Sequence, residues 1–372
     1  MKKVIAFSII VAIIFSFPGI SLAAEKNTVE AKNKEKVYEI SLETIDDIMF
    51  KSSKYFRDSQ EKKDRLMLDQ SKYEREIRKL NAEDSGDDWG NASSISSLYD
   101  QLRTSKYNLQ VADITETAGL KKQALTAKGE YLKYIGMTLD QELLKNKIEQ
   151  QRNQNSISEQ KYKRGLISLT QYKESMNKNI DYSDELSEGE KKLEKQIESF
   201  KSAVGLKDDD KVEFKEVKMF NYDKLSQISL EKDMEEALKN SKDIQVQEIK
   251  VEHLKNEFVK DRRAISDSQK ELAELKDTVK KNFKNQYELL DTTAKKVNKS
   301  SRNLKEAQSN LDMAKAKYDR GLLSKKDFED LKIKNLEVVN QGKSAELELQ
   351  EVFLTYQLYK EGYQGAIGGS AS

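Results

Sequence analysis

The sequence predicts an all-α protein built from long antiparallel helical hairpins. Three observations carry that expectation. One proline and 15 glycines in 372 residues are too few turn-formers for a sandwich or barrel of short strands. Charged residues are 35% and apolar residues 37%, with the Ala, Glu, Lys and Leu that long helices favour. Apolar side chains also recur at helical spacing, as in Leu349, Val352, Phe353, Tyr356, Tyr359 and Tyr363.

The same composition excludes chemistries. With no cysteine there is no disulfide, no thiol nucleophile and no Cys-ligated metal. His253 is the only imidazole, so neither a Ser-His-Asp site nor a His-rich metal centre is expected. Glu248 and His253 could be drawn as a metal pair, but without further ligands His253 reads as a helix-surface residue. Asp84, Asp87 and Asp88, and Asp208 to Asp210, lack the ordered oxygen spacing of a calcium loop. No catalytic residue, cofactor or metal is expected. The 66 basic and 65 acidic residues balance, which argues against a nucleic-acid partner.

The elements follow in order. Lys2 and Lys3, an apolar run from Val4 to Phe17, and Ser21-Leu22-Ala23-Ala24 have the layout of a secretory signal over 1–24. Residues 25–40 read as a flexible segment. Ser41 is the expected N-cap of a first helix reaching about Ala82, with Glu43 and Asp46 in its positive first turn. A turn-rich stretch near Asp84 to Asn91 precedes a helix from about Ser94 to Tyr162. The next helix runs from Ser168 to Val204, with Leu186, Leu193, Ile197, Phe200 and Val204 on a seam that Glu190 interrupts. A linker over 206–228 carries a strand signal at Val212-Glu213-Phe214. A further helix is expected to reach Arg262, with a polar break at Ala264 to Gln269. Two more helices follow, to Tyr318 and from Ser324 to Gly362. Residues 363–372 form a Gly- and Ser-rich tail.

An internal repeat is the strongest signal. Lys161-Tyr162-Lys163-Arg164-Gly165-Leu166-Ile167-Ser168 matches Lys317-Tyr318-Asp319-Arg320-Gly321-Leu322-Leu323-Ser324 at six of eight positions, 156 residues apart. Downstream, Tyr172 pairs with Phe328, Leu193 with Leu349, Ile197 with Phe353 and Phe200 with Tyr356. Upstream, Ile228-Ser229-Leu230-Glu231 copies Ile40-Ser41-Leu42-Glu43. In each tip a glycine stops one helix and Ser168 or Thr170, or Ser324, caps the next. The apolar pairs Leu166-Ile167 and Leu322-Leu323 sit on the turn. For a single residue, a hydrophobic staple explains that placement; the same chemistry on both tips points to a docking surface.

On these motifs the chain resembles the TolC family of outer-membrane efflux ducts. The resemblance rests on Ser-Leu-Glu at 41–43 and 229–231, the tip pattern from Tyr162 to Thr170 and from Tyr318 to Ser324, the heptad helix after each tip, and the secretory signal. It implies TolC-like repeats at 41–205 and 229–362. It also implies a homotrimer, with a membrane-fusion adaptor and an inner-membrane pump or ABC transporter as partners. The adaptor-docking positions it implies are Gly165, Leu166, Ser168 and Thr170, with Gly321, Leu322 and Ser324; Lys326 stands where Thr170 does.

One departure from the family pattern stands out. Each family repeat inserts two membrane strands between its first two helices. Such a strand takes about 9–11 residues, and neither the gap near Glu83 to Ser93 nor the one near Ala264 to Ser268 holds two. The first repeat has 32 extra residues between its Ser-Leu-Glu start and its tip, without an alternating run. The expectation is a chain with the barrel strands missing, exported to the cell envelope, acting as a conduit or docking element of an efflux system. A secreted coiled-coil scaffold is the alternative. A membrane-fusion adaptor is a third, which would need flanking β domains.

Overall fold

The computed structural model describes residues 37–83, 89–257 and 260–364; the signal segment lies outside them, as do 365–372. Two short strands and nine helices are found among the described residues. Strand β1 is Val37–Ile40 and β2 is Lys211–Phe214. Helices α1 (Ile45–Ser52), α2 (Lys54–Glu83), α3 (Trp89–Lys163) and α4 (Leu169–Val204) make up the first repeat. After the short α5 (Asp223–Ser226), α6 (Leu230–Asn240), α7 (Lys242–Lys255), α8 (Arg262–Asp319) and α9 (Lys325–Lys360) copy that order.

Each repeat buries a core where its short first helix meets its long hairpin. In the first, Ile40, Ile45, Met49, Ala127, Tyr131, Phe200 and Val204 form one cluster. In the second, Ala237, Phe283, Leu290, Leu349, Phe353 and Tyr356 form its counterpart. A fully buried Phe or Leu stabilises by about 1.5–3 kcal/mol, so these clusters anchor the hairpins. On α8 the inward positions Val279, Phe283, Gln286, Leu290, Thr293 and Val297 alternate spacings of four and three, the heptad pattern that keeps one seam on α9. Toward the tips the contacts turn polar. Gln150 and Gln154 donate to Asp330 at 2.5 and 3.1 Å, and Lys147 pairs with Glu337 at 2.6 Å.

The strands pair in parallel, Val37 opposite Lys211 through Ile40 opposite Phe214. β2 lies where the strand signal stood. β1 falls in a segment read as flexible; its pairing with a chain 174 residues away left no local mark. Phe214 packs against Tyr134, Tyr131 and Phe200, which fixes the sheet to the first core.

Three helix boundaries correct the sequence reading. Ser41 does not cap a helix: it forms a turn with Thr44, and α1 starts at Ile45. The long first helix is broken at Ser53, as its counterpart is at Ser241. Both serines are buried, and the Ser241 hydroxyl accepts from Ile244 N–H at 3.3 Å. The break expected at Ala264 to Gln269 lies earlier, between Lys255 and Arg262. There Asp261 accepts from the N–H groups of Arg263 and Ala264. The polar residues mistaken for a loop are helical; Ser268 is buried and accepts from Gln247. Glu190 is exposed, and Gly189 takes the seam position, where a side chain would collide with Gln141.

The 32 extra residues are helix. α2 has 30 residues against 14 in α7, and α3 has 75 against 58 in α8. The first hairpin therefore extends about 24 Å beyond its copy at 1.5 Å per residue. α2 ends at Glu83 and α3 starts at Trp89; α7 ends at Lys255 and α8 starts at Arg262. Neither connection is long enough for a pair of membrane strands. No helix among the described residues is long and apolar enough to cross a membrane.

Candidate docking surface at the hairpin tips

Two turns, α3 to α4 and α8 to α9, place the expected site residues. Gly165 and Gly321 have φ of 71° and 72°, the left-handed region that costs an L side chain about 1–2 kcal/mol. Gly165 N–H bonds the Tyr162 carbonyl and Leu166 N–H the Lys161 carbonyl, each at 2.8 Å. Gly321 and Leu322 repeat this with Tyr318 and Lys317 at 2.8 and 2.9 Å. The two crossed bonds satisfy the last carbonyls of each helix in a Schellman motif.

The following serine starts the next helix. Ser168 accepts from Gln171 N–H at 3.2 Å, and Gln171 Oε1 accepts from Ser168 N–H at 3.0 Å, a reciprocal capping box. Ser324 accepts from Asp327 N–H at 3.1 Å and donates to that carboxylate at 2.7 Å. Thr170 is an exposed residue in the first turn of α4 and does not cap it.

The turns sort their apolar residues. Ile167 and Leu323 are half-buried and stand just before each N-cap, the position a staple residue takes. Leu166 and Leu322 are 67% and 73% exposed, so the staple does not account for them. Beneath each tip an aromatic pair bolts the arms together: Tyr162 on Tyr172, centroids 5.1 Å apart, and Tyr318 on Phe328, 4.9 Å apart. The sequence marked these rings as repeat partners without showing that they stack within one tip. Lys161, Arg164, Lys317, Arg320, Lys325 and Lys326 are exposed around the leucines. The result is two copies of one element: a rigid turn, an exposed leucine and a cationic rim.

The other expectations also find places. His253 stacks on Tyr107, centroids 4.4 Å apart, with Glu257 3.9 Å away. Burial, with Arg103 nearby, lowers its pKa. Glu248 instead pairs with Lys276 at 3.3 Å.

No family model and no curated protein matches the chain. Solved structures do. The outer membrane protein VceC of Vibrio cholerae aligns over 86% of this chain and 96% of its own, at 11% identity and TM-score 0.56. A membrane protein of Pseudomonas aeruginosa aligns over 91% and 93%, at 10% identity and TM-score 0.60. The CmeC outer membrane channel of Campylobacter jejuni aligns over 93% and 94%, at 9% identity and TM-score 0.55. These overlays follow the duplicated hairpins through almost the whole chain, and the fold of this protein is the TolC-like fold of outer membrane channels.

Proposed function

We propose that this protein is a TolC-like component of a cell-envelope efflux system, exported by its signal segment and working as a homotrimer. It forms a conduit or docking element for a membrane-fusion adaptor and an inner-membrane pump or ABC transporter. Gly165, Leu166, Ser168 and Thr170, with Gly321, Leu322 and Ser324, form the adaptor-facing surface. The reading is non-enzymatic, and its likeness to channels supports that.

The observation that carries it is the duplicated tip. Two turns 156 residues apart keep the same caps, the same ring stack and the same exposed leucine. Neither leucine is needed to close its own turn, so its role is outward.

A second reading is favoured by the α2–α3 extension. Helix in place of strands suits a secreted coiled-coil scaffold, in which the tips grip a partner without a duct. Light scattering on the mature chain in detergent-free buffer separates the two. A trimer supports the conduit; a monomer at high concentration removes it and leaves the scaffold.

A further inference from the structure

The extension of the first hairpin meets the second repeat at its base. Matching Ser53 with Ser241 puts the end of α7, Lys255, at Met67, and the tip offset of 156 puts the start of α8, Arg262, at Lys106. Residues 68–83 of α2 and 89–105 of α3 therefore have no copy. Arg103, in the last turn of that extra helix, donates from Nη1 to the Asn256 carbonyl at 2.9 Å. Asn256 is the C-cap of α7. One turn further along α3, Tyr107 lies on His253, with ring centroids 4.4 Å apart and planes 20° from parallel. Helices α3 and α7 belong to different repeats and pack on each other, so both contacts tie the base of the extension to the other half of the chain. The stack is not a repeat feature. In the first repeat the position of His253 is taken by Arg65, which pairs with Glu61 at 3.7 Å.

The imidazole sits where a positive charge is unwelcome. Only 15% of the His253 side chain and 29% of Arg103 are exposed. Arg103 already supplies the cation that the carbonyl end of a helix favours, and a second cation beside it is repelled. Burial first, then Arg103, lowers the His253 pKa, and Glu257, 3.9 Å away, opposes them. The Tyr107 face also attracts an imidazolium, but the same burial strips that cation of water.

The remaining charges at this joint are engaged or in water. Asp100 pairs with Arg103 at 3.1 Å, and Lys106 with Glu74 at 3.5 Å. Glu252 accepts from Asn256, and Lys250 pairs with Glu271 of α8 at 2.8 Å. Lys255, Lys260, Asp261, Arg262, Arg263 and Asp267 are exposed, where salt screens them. The closed joint is also imperfect. Arg103 uses Nη1 on Asn256 and Nη2 on Asp100, whereas its Nε is buried without a partner, and an unmet buried donor costs stability.

We propose that His253 and Arg103 form an acid-opened latch between the α2–α3 extension and the second repeat. Neutral His253 stacks on Tyr107 and lets Arg103 close on the Asn256 carbonyl. A proton on His253 sets two cations side by side at the end of α7, and Arg103 leaves the carbonyl for water. Because α2 packs on α3, freeing the base of α3 lets the whole extension swing. The closed joint favours the neutral ring, so the latch is whole above the ordinary histidine value of 6.5 and weakens as pH falls below it.

Two readouts on the tag-free mature chain test the latch. The Cε1–H resonance of His253, the only imidazole, should titrate with a midpoint below pH 6.5, and Glu257→Gln should move that midpoint lower. Nitroxides on Ser97→Cys and Gln269→Cys, in a chain without native cysteine and diluted with unlabelled protein, report the extension against α8. Spin-echo distances should be narrow one pH unit above the midpoint, and longer and broader one unit below it. His253→Phe keeps a ring on Tyr107 without a titrating nitrogen and should stay narrow at both. Arg103→Gln should be broad at both. A midpoint at 6.5 or above, or a parent distance unchanged across the midpoint, overturns the latch. So does a His253→Phe variant that opens as the parent does, or an Arg103→Gln variant that stays narrow.

Discussion

Tyr356 donates a 2.6 Å hydrogen bond to the buried carboxylate of Asp233, at the joint where the first repeat packs Phe200 near Ile45. Lys360, 2.6 Å from Asp233, stands where Val204 does. One pseudo-equivalent joint is therefore apolar and the other a hydrogen-bonded ion pair. Burial raises the Asp233 pKa, but bonds from Lys360, Tyr356 and Ser229 N–H outweigh it and hold the carboxyl below its ordinary value of 3.8. The group gives stability above pH 3.8 and loses it as pH falls through its folded value. Asp233→Ala should cost about 1–3 kcal/mol by leaving the Tyr356 hydroxyl unpaired. The triple change Asp233→Ile, Tyr356→Phe and Lys360→Val should be near neutral or stabilising. Urea unfolding of both variants at pH 3 and pH 7 checks this; a triple variant weaker than the single one would refute it.

Among the described residues, four glycines with positive φ end helices, and they should not be equally replaceable. At Gly165 and Gly321 an added Cβ meets nothing within 4 Å, so alanine should cost only the backbone term of about 1–2 kcal/mol. At Gly362 it would lie 2.1 Å from the Asn240 carbonyl oxygen, and at Gly205 2.9 Å from that of Ser52. Both sit on the helix breaks. Gly362→Ala should lower the melting temperature most and the tip variants least. Equal losses at all four would contradict the packing described.

Leu166 and Leu322 should separate docking from stability. Because both are exposed, Leu166→Asp with Leu322→Asp should shift unfolding by no more than about 0.5 kcal/mol. Binding to the host's purified adaptor should fall at least tenfold. Unchanged binding would remove the tips from the interface.

Tyr131 is fully buried and donates to the Lys215 carbonyl at 2.7 Å. Burial, with Glu43 a lesser cause, pushes its pKa up to about 12. A raised acid favours the folded protonated form, so its contribution is whole below pH 10 and declines between pH 10 and 12. Tyr131→Phe should lose about 1–3 kcal/mol at neutral pH and flatten the alkaline part of the stability curve. A variant with the parent's slope over that interval would place the alkaline loss elsewhere.

What the sequence by itself determined is whatever repeats or lies close along the chain. The scarcity of proline and the three-four spacing gave long helices. Gly165 and Gly321, each followed by leucine and a capping serine, gave the tips almost residue by residue, because a Schellman turn and an N-cap are built from neighbours. The tertiary structure alone decided the rest. Ser53 and Ser241 break their helices where Gly205 and Gly362, over a hundred residues away, press on the backbone. Ser266 to Ser268 look like a loop by composition, yet Gln247 draws Ser268 into a helix. β1 exists through its partner β2, 174 residues away, and its own segment carried no local mark of that pairing. Local rules act over one turn of chain, whereas packing compares residues that the sequence keeps far apart.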